Sequence, residues 1–176
     1  MKLSQTIFID RDAIATRIHE LAVEVDAALT GESVVAVIAL KGAMMMGMDF
    51  IRALKTPVEV ELIRAQSYDG CESSDQVILS ILPQADLSGK TILLIEDIVD
   101  TGRTVTAICD HLNTLSPAQI RIVTLLDKPS RRKVPCSPDW VGFTIEDVFV
   151  VGYGMDYNES YRDLPDIYTM ELSSNH

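Results

Sequence analysis

Two apolar runs constrain the fold of this chain more than any other feature. Residues 34–40 read VVAVIAL and residues 91–96 read TILLIE. A strand that is apolar at successive positions is typical of a sheet covered on both faces, as parallel sheets are. Each run is followed by a turn and then by a helical pattern, at residues 43–54 and 101–115. The sequence therefore predicts an α/β fold with a mainly parallel sheet flanked by helices.

The remaining elements continue the alternation of strands and helices. Apolar residues recur at helical spacing after Asp10 or Asp12, and this first helix is predicted to end at Gly31. A polar loop is predicted at residues 65–76. The last third of the chain is rich in proline and aromatic residues, so we expect it to form a cap over the sheet. Further strands are predicted at residues 58–63, 77–82 and 120–126.

Size and charge restrict the partners of this chain. Its 176 residues predict a single domain with a core large enough to need no disulfide or metal. The 15 basic and 26 acidic residues give a formal net charge of −11. The negative electrostatic field of such a chain would repel phosphates, which disfavours nucleic acid and anionic membranes as partners. A phosphate ligand would therefore have to be bound by local cations, backbone amides or a metal ion.

The cysteines and the hydropathy pattern indicate the compartment. Three widely spaced cysteines fit neither a disulfide framework nor a zinc site, so we expect reduced thiols in the cytoplasm. The N-terminal residues lack an apolar run long enough for a signal peptide. The most apolar stretch, residues 34–54, is interrupted by Lys41, Asp49 and Arg52 and is not predicted to span a membrane.

The most informative segment is ILLIEDIVDTGRT, residues 92–104. Its apolar strand is predicted to end at Glu96 and Asp97, Asp100 follows, and Thr101–Thr104 opens a helix. Ligands of open α/β sheets bind beyond the carboxyl ends of the strands. The first turn of a helix offers free amides to an anion, and Gly102 allows the backbone to approach it closely. This segment predicts a phosphate site.

Three carboxylates beside a phosphate site need an explanation. They would repel the ligand unless a hard cation lies between them, or unless they face another part of the ligand. Mg²⁺ fits the first case, because it binds through one or two carboxylates together with substrate oxygens. The alternative is a plain strand-turn-helix with solvated acids, against which the density of acids and threonines argues.

Other phosphate and nucleophile motifs are absent from the sequence. No G-x-x-x-x-G-K-[ST] motif occurs, which argues against kinase or GTPase chemistry of the P-loop type. Gly152-Tyr153-Gly154 lacks the third glycine of a dinucleotide site. His19, His111 and His176 are scattered, and we predict no function for them.

The segment EDIVDTGRT resembles the 5-phosphoribosyl-1-pyrophosphate (PRPP) signature of type I phosphoribosyltransferases. Four further blocks make the chain similar to the hypoxanthine-guanine phosphoribosyltransferases over about residues 34–168. The resemblance implies the type I phosphoribosyltransferase fold in one domain, residues 1–176. A small hood would comprise about residues 129–176 and the N-terminal segment. The blocks are LKGA (40–43), Ser67-Tyr68, LLDKP (125–129) and residues 139–168.

The resemblance also implies an activity. The enzyme would move the 5-phosphoribosyl group from PRPP to N9 of hypoxanthine or guanine, giving inosine or guanosine monophosphate and pyrophosphate, with Mg²⁺ as cofactor. Two alternatives stay open: a preference for xanthine, and a PRPP-sensing regulator of the same fold that binds nucleic acid. The family further implies a homodimer or homotetramer.

Individual residues receive roles from the resemblance. Asp100 would accept the proton of purine N7, Ser67 and Tyr68 would lie in a mobile loop, and the Leu40–Lys41 peptide would be cis. Pyrophosphate and phosphate would be bound by Lys41, Gly42, Thr101, Gly102, Arg103, Thr104 and Arg162. The purine would be bound by Lys128, Phe149, Val150 and Asp156. Mg²⁺ would be bound by Glu96, Asp97 and Asp156.

Two features receive no role from the resemblance. The basic cluster Arg131-Arg132-Lys133 is typical of a solvated face, although a contact to phosphate or to another subunit is a further reading. Cys71 lies in the expected mobile loop, and nothing near it in the sequence predicts an activated thiol.

Overall fold

A computed structural model describes residues 2–67 and 77–171 of the chain. Tyr68 and Cys71, which are both expected in a mobile loop, lie outside these residues. The described residues contain three α-helices: α1 (Arg11–Ala28), α2 (Met44–Ala53) and α3 (Arg103–Asn113). The strands are β1 (Lys2–Ile9), β2 (Val34–Leu40), β3 (Val58–Ser67), β4 (Val77–Ser80), β5 (Thr91–Val99), β6 (Gln119–Asp127), β7 (Trp140–Thr144), β8 (Val150–Val151) and β9 (Ile167–Glu171).

The main sheet confirms the predicted fold class. Its six strands are in the order β4-β3-β2-β5-β6-β7. All neighbours are parallel except β3 and β4. The central strands β2 and β5 are buried along nearly their whole length, which explains their continuous apolar sequences. None of the helices within residues 2–67 and 77–171 is long and apolar enough to cross a membrane.

The strand order places a crevice between β2 and β5. The chain moves from β2 outward to β3 through α2, and from β5 outward to β6 through α3, so the two crossovers lead in opposite directions. Right-handed crossovers then put α2 and α3 on opposite faces of the sheet. The loops that follow β2 and β5 diverge at this point, which is where ligands bind in open α/β sheets.

A second sheet brings the two ends of the described chain together. It has the order β1-β9-β8, and its strands are antiparallel. At the start of α1, Arg11 donates from N, Nε and Nη2 to the Asp166 carboxylate at 2.8, 3.0 and 2.7 Å. The hydrogen bonds from Arg11 lower the pKa of Asp166. This contact fixes the start of β9 against the first helix.

Several predicted boundaries were wrong. β5 continues to Val99, because β6 pairs with it as far as Val99↔Asp127, so Glu96 and Asp97 lie inside the strand and not at its end. β3 likewise continues to Ser67 through pairing with β4, which is antiparallel and ends at Ser80. The helix predicted from residue 101 begins at Arg103. In each case, hydrogen bonding between strands or the turn geometry overrides the local composition.

Candidate active site

A cleft of about 290 Å³ opens where β2 and β5 end. It gathers most of the residues that the sequence predicts for a site. Arg103, Lys128, Phe149 and Val150 lie outside its lining, and Ser67 ends β3. The predicted residues that line it are Lys41, Gly42, Glu96, Asp97, Asp100, Thr101, Gly102, Thr104, Asp156 and Arg162.

Two buried acids form the floor of the cleft. Glu96 is 7% exposed and Asp97 is 9% exposed. Burial raises the pKa of both carboxyl groups, and the adjacent Asp97 charge raises that of Glu96 further. Asp97 Oδ1 accepts a hydrogen bond from the Ile98 amide at 2.9 Å. Glu96 Oε2 is buried and accepts no hydrogen bond from the described residues, so it lacks the partner that a buried carboxylate requires.

The acids fit a hard divalent cation. Within the described ranges, no group of three or more His, Cys, Asp or Glu side chains is positioned to hold a metal ion by itself. Mg²⁺ ordinarily takes only one or two protein carboxylates and completes its shell with water and substrate oxygens. The unpartnered Glu96 oxygen and the neighbouring Asp97 carboxylate supply such ligands. The residues present therefore suit Mg²⁺ that is bound together with a substrate.

The loop after β2 closely approaches these acids. The peptide bond between Leu40 and Lys41 is cis, as the resemblance implies. A Cβ added at Gly42 would overlap the Asp97 carboxylate. A Cβ added at Gly154 would overlap the Gly42 carbonyl oxygen, and Gly154 has a φ of +100°. Position 154 requires glycine, because its φ is left-handed and a Cβ would meet backbone, whereas a side chain at position 42 would force the loop or the Asp97 carboxylate to move.

The turn before α3 leaves a helix N-terminus open to the cleft. Gly102 is the N-cap residue, with a left-handed φ of 85° and no side-chain cap. Its carbonyl accepts from the Thr106 amide at 2.9 Å. The Thr101 carbonyl accepts from the amides of Lys133 and Val134 at 3.0 and 3.3 Å, which holds the turn from behind. The Arg103 amide donates to Thr101 Oγ1 at 3.4 Å, and the amides that follow it in the first helical turn can bind an anion.

Two cations that line the cleft, Lys41 and Arg162, contact an acid that the sequence did not predict. Lys41 Nζ lies 2.8 Å from Glu159 Oε2, and Arg162 Nη2 lies 3.6 Å from the same oxygen. Arg162 Nη2 also lies 2.7 Å from Asp156 Oδ1. The hydrogen bond from Lys41 lowers the pKa of Glu159. Sequence reasoning missed Glu159, whose only signal is its position three residues before Arg162.

Three residues that are predicted to bind the purine, Lys128, Phe149 and Val150, lie outside the lining of the cleft. Lys128 is 5% exposed, and burial lowers its pKa. Its amide donates to the Val99 carbonyl at 3.0 Å, which links the loops after β5 and β6. Phe149 is 42% exposed and meets the edge of the Tyr157 ring at a centroid distance of 5.8 Å. Val150 is buried in β8.

Sequence reasoning also missed the partner of Asp100. Arg131 Nε lies 2.9 Å from Asp100 Oδ1, and Arg131 Nη1 lies 3.3 Å from Asp147 Oδ2. Arg131 belongs to the basic cluster for which a solvated face was the ordinary interpretation. Nothing in the sequence motif itself points to this contact, because the two residues are 31 positions apart.

Comparison with known proteins identifies the family. The phosphoribosyl transferase domain matches residues 4–158. Hypoxanthine phosphoribosyltransferase of Haemophilus influenzae is 39% identical over 162 residues, which is 90% of either chain. Hypoxanthine-guanine phosphoribosyltransferase of Aquifex aeolicus is 37% identical over 94% of either chain. A crystal structure of a hypoxanthine-guanine phosphoribosyltransferase from Bacillus anthracis, 34% identical, has a TM-score of 0.89 and covers 97% of this chain and 100% of that chain.

Matches of this length and identity accord with the cleft described above. The chain aligns nearly end to end with these relatives. It also has a crevice between β2 and β5, where a helix N-terminus lies beside two buried acids. The chain belongs to the phosphoribosyltransferase family and resembles, within it, the hypoxanthine and hypoxanthine-guanine phosphoribosyltransferases.

Proposed function

We propose that the protein transfers the 5-phosphoribosyl group of PRPP to N9 of hypoxanthine or guanine and releases pyrophosphate. One observation carries this proposal: the cleft combines a helix N-terminus, two buried acids and two cations at the crevice of the sheet. These three parts suit the phosphate, the metal-binding oxygens and the pyrophosphate of a single ligand. The naming of the relatives supports 6-oxopurines as the acceptors.

Two parts of the cleft would bind phosphate groups. The turn of Thr101, Gly102, Arg103 and Thr104 would bind the 5-phosphate through backbone amides and threonine hydroxyls. Lys41, the Gly42 amide and Arg162 would bind the pyrophosphate. Their positive charge stabilises the negative charge that develops on the leaving group as the bond to the anomeric carbon breaks.

The acids that line the cleft would hold Mg²⁺. Glu96 and Asp97 supply buried carboxylates, and Asp156 reaches the same cleft beside Arg162. Bound Mg²⁺ supplies Lewis-acid stabilisation of charge on pyrophosphate and ribose oxygens. Because Gly42 has no side chain, the loop after β2 leaves the Asp97 carboxylate in place. A Cβ at position 42 would overlap that carboxylate.

The purine would lie between Asp100 and the residues near β8. Asp100 accepts the proton of purine N7 as the new bond to N9 forms. Lys128 donates to the 6-oxygen, Phe149 packs on the ring, and the Val150 backbone and Asp156 meet its far edge. An ammonium facing the 6-position favours an oxygen acceptor and repels the amino group of adenine.

Replacing Lys128 by alanine tests this selection. We expect the KM for hypoxanthine to rise at least about tenfold, because the 6-oxygen loses its charged donor, whereas the KM for PRPP stays within about twofold. Steady-state kinetics with each substrate varied in turn measures both constants. Lys133→Ala is the control, since it removes an exposed lysine of the same loop. A selective loss of PRPP affinity in Lys128→Ala would contradict the assignment.

The activity itself is tested with four bases. Purified protein, PRPP and Mg²⁺ are incubated separately with hypoxanthine, guanine, xanthine and adenine, and nucleotide and pyrophosphate are both quantified. We expect turnover of hypoxanthine or guanine and none of adenine. Turnover of xanthine above both would favour the xanthine-preferring alternative. PRPP binding without turnover of any base would favour the regulator, which the net charge of −11 disfavours.

We further propose a cytoplasmic homodimer or homotetramer. Among the described residues, Cys109 and Cys136 are free thiols. Burial raises the pKa of Cys109 to about 12 and raises that of Cys136, so both favour the protonated thiol. These thiols suit a reducing compartment. Light scattering coupled to size-exclusion chromatography measures the assembly.

A further inference from the structure

The first arginine of the basic cluster faces the candidate base and not open solvent alone. Arg131 ends a short 3₁₀ turn, Pro129–Arg131, that directly follows Lys128. Its Nε lies 2.9 Å from Asp100 Oδ1, and its Nη1 lies 3.3 Å from Asp147 Oδ2. One guanidinium therefore joins the loop after β5 to the segment that precedes Phe149.

This contact occupies only one oxygen of the Asp100 carboxylate. Oδ1 accepts the hydrogen bond from Arg131, and no described residue donates to Oδ2. Asp100 also lines the cleft. A carboxylate that is bound through one oxygen has a fixed plane and keeps its second oxygen for another donor.

The backbone beneath Asp100 is fixed separately. Arg132 Nη1 donates to the carbonyls of Val99, Asp100 and Lys128 at 2.7, 2.5 and 3.3 Å. Arg132 Nη2 also pairs with the Asp127 carboxylate. The loops after β5 and β6 are thus joined through a single, largely buried guanidinium. The remaining freedom at position 100 is the rotation of its side chain, and Arg131 restricts that rotation.

We propose that Arg131 is a positioning residue for the proton acceptor Asp100. It holds Oδ1 so that Oδ2 points at the substrate side, and Asp147 retains the guanidinium through its other arm. The inference rests on the proposed function, in which Asp100 takes the purine N7 proton. It assigns a role in the reaction to a residue that otherwise belongs to an ordinary charged surface.

The test is a double-mutant cycle on the chemical step. The variants are Arg131→Gln, Asp100→Asn and the pair, and single-turnover rates are measured with PRPP, Mg²⁺ and hypoxanthine. Arg131→Gln alone is expected to slow the step by about tenfold, with the KM for PRPP within about twofold. In the Asp100→Asn background, the same change is expected to have less than about a twofold effect, because the proton acceptor that Arg131 would position is no longer present.

Two further variants separate positioning from charge and from folding. Lys133→Gln removes one positive charge from the same exposed cluster and is expected to leave the rate unchanged. Arg131→Lys keeps the charge but not the two-armed geometry, and partial recovery of the rate is expected. Arg131 is exposed, so its loss should change the Tm by only about 2 °C or less.

The possible results separate the two proposals. A tenfold loss that disappears in the Asp100→Asn background supports the positioning role. An equal loss in both backgrounds, or no loss in either, overturns that role while the proposed function stands. Wild-type protein that makes no nucleotide from any 6-oxopurine overturns the proposed function and the positioning role together.

Discussion

Replacing Asp100 by asparagine is expected to slow the chemical step by about 10²–10⁴-fold. Asparagine has nearly the same shape but cannot take up a proton, so the general base is lost without a change in packing. PRPP binding should persist, because the helix N-terminus at Thr101–Thr104 and the cations Lys41 and Arg162 are untouched. Single-turnover rates measure the first effect, and titration calorimetry with PRPP measures the second.

Asp147→Asn is the matched control for this variant. Asp147 contacts the same guanidinium as Asp100 but does not line the cleft. Removing its charge should change the rate by less than about threefold, because the amide oxygen of asparagine can still accept the hydrogen bond from Arg131. Equal rates for wild type and Asp100→Asn would rule out Asp100 as the proton acceptor. Loss of PRPP binding in Asp100→Asn would instead show a role in holding that substrate.

Gly42→Ala is expected to lower kcat/KM for PRPP on the order of 10²-fold. The added Cβ would overlap the Asp97 carboxylate, so either the loop after β2 or the carboxylate must move. Both belong to the region that would hold pyrophosphate and Mg²⁺, where a small displacement is costly. The overlap should also lower the free energy of unfolding by about 1–3 kcal/mol. Steady-state kinetics and urea unfolding measure the two effects.

Gly31→Ala separates the activity loss from the stability loss. Gly31 has a φ of +82°, and no atom lies within 4 Å of the position that a Cβ would take there, so alanine meets backbone strain but no neighbour. That strain should cost about 1–2 kcal/mol, similar to the cost at position 42. PRPP use should nevertheless stay at the wild-type level. Equal activity in the two variants would contradict a specific role for the approach of Gly42 to Asp97.

The sequence predicts the parallel part of the fold well and the antiparallel part poorly. β2 and β5 are apolar at successive positions, and burial on both faces leaves few other arrangements for such runs. β1 pairs with β9, at the other end of the described chain, and its polar residues give no local sign of that partner. β7 was expected within a cap but joins the main sheet beside β6. Pairings of this kind depend on tertiary packing.

The residues of the cleft that belong to one contiguous motif could be predicted from the sequence. Residues 96–104 are contiguous, and the acids and the turn before α3 line the same cleft. Glu159 and Arg131 were missed, because their importance arises from contacts across 118 and 31 positions of sequence. The individual roles of the predicted residues, and the division into a core and a hood, stay predictions. The cleft geometry supplies the variants that test them.

The contact of Glu159 with Lys41 and Arg162 affects how tightly an anionic substrate can bind to these two cations. The two cations already face a carboxylate, so a ligand that carries pyrophosphate must exchange one anion for another. The Glu159 side chain is 66% exposed and can turn into water at little cost. The affinity for such a ligand then depends on the difference between two interactions of the cations, one with the pyrophosphate and one with the Glu159 carboxylate. Its dependence on ionic strength should accordingly be shallower than two uncompensated cations would produce.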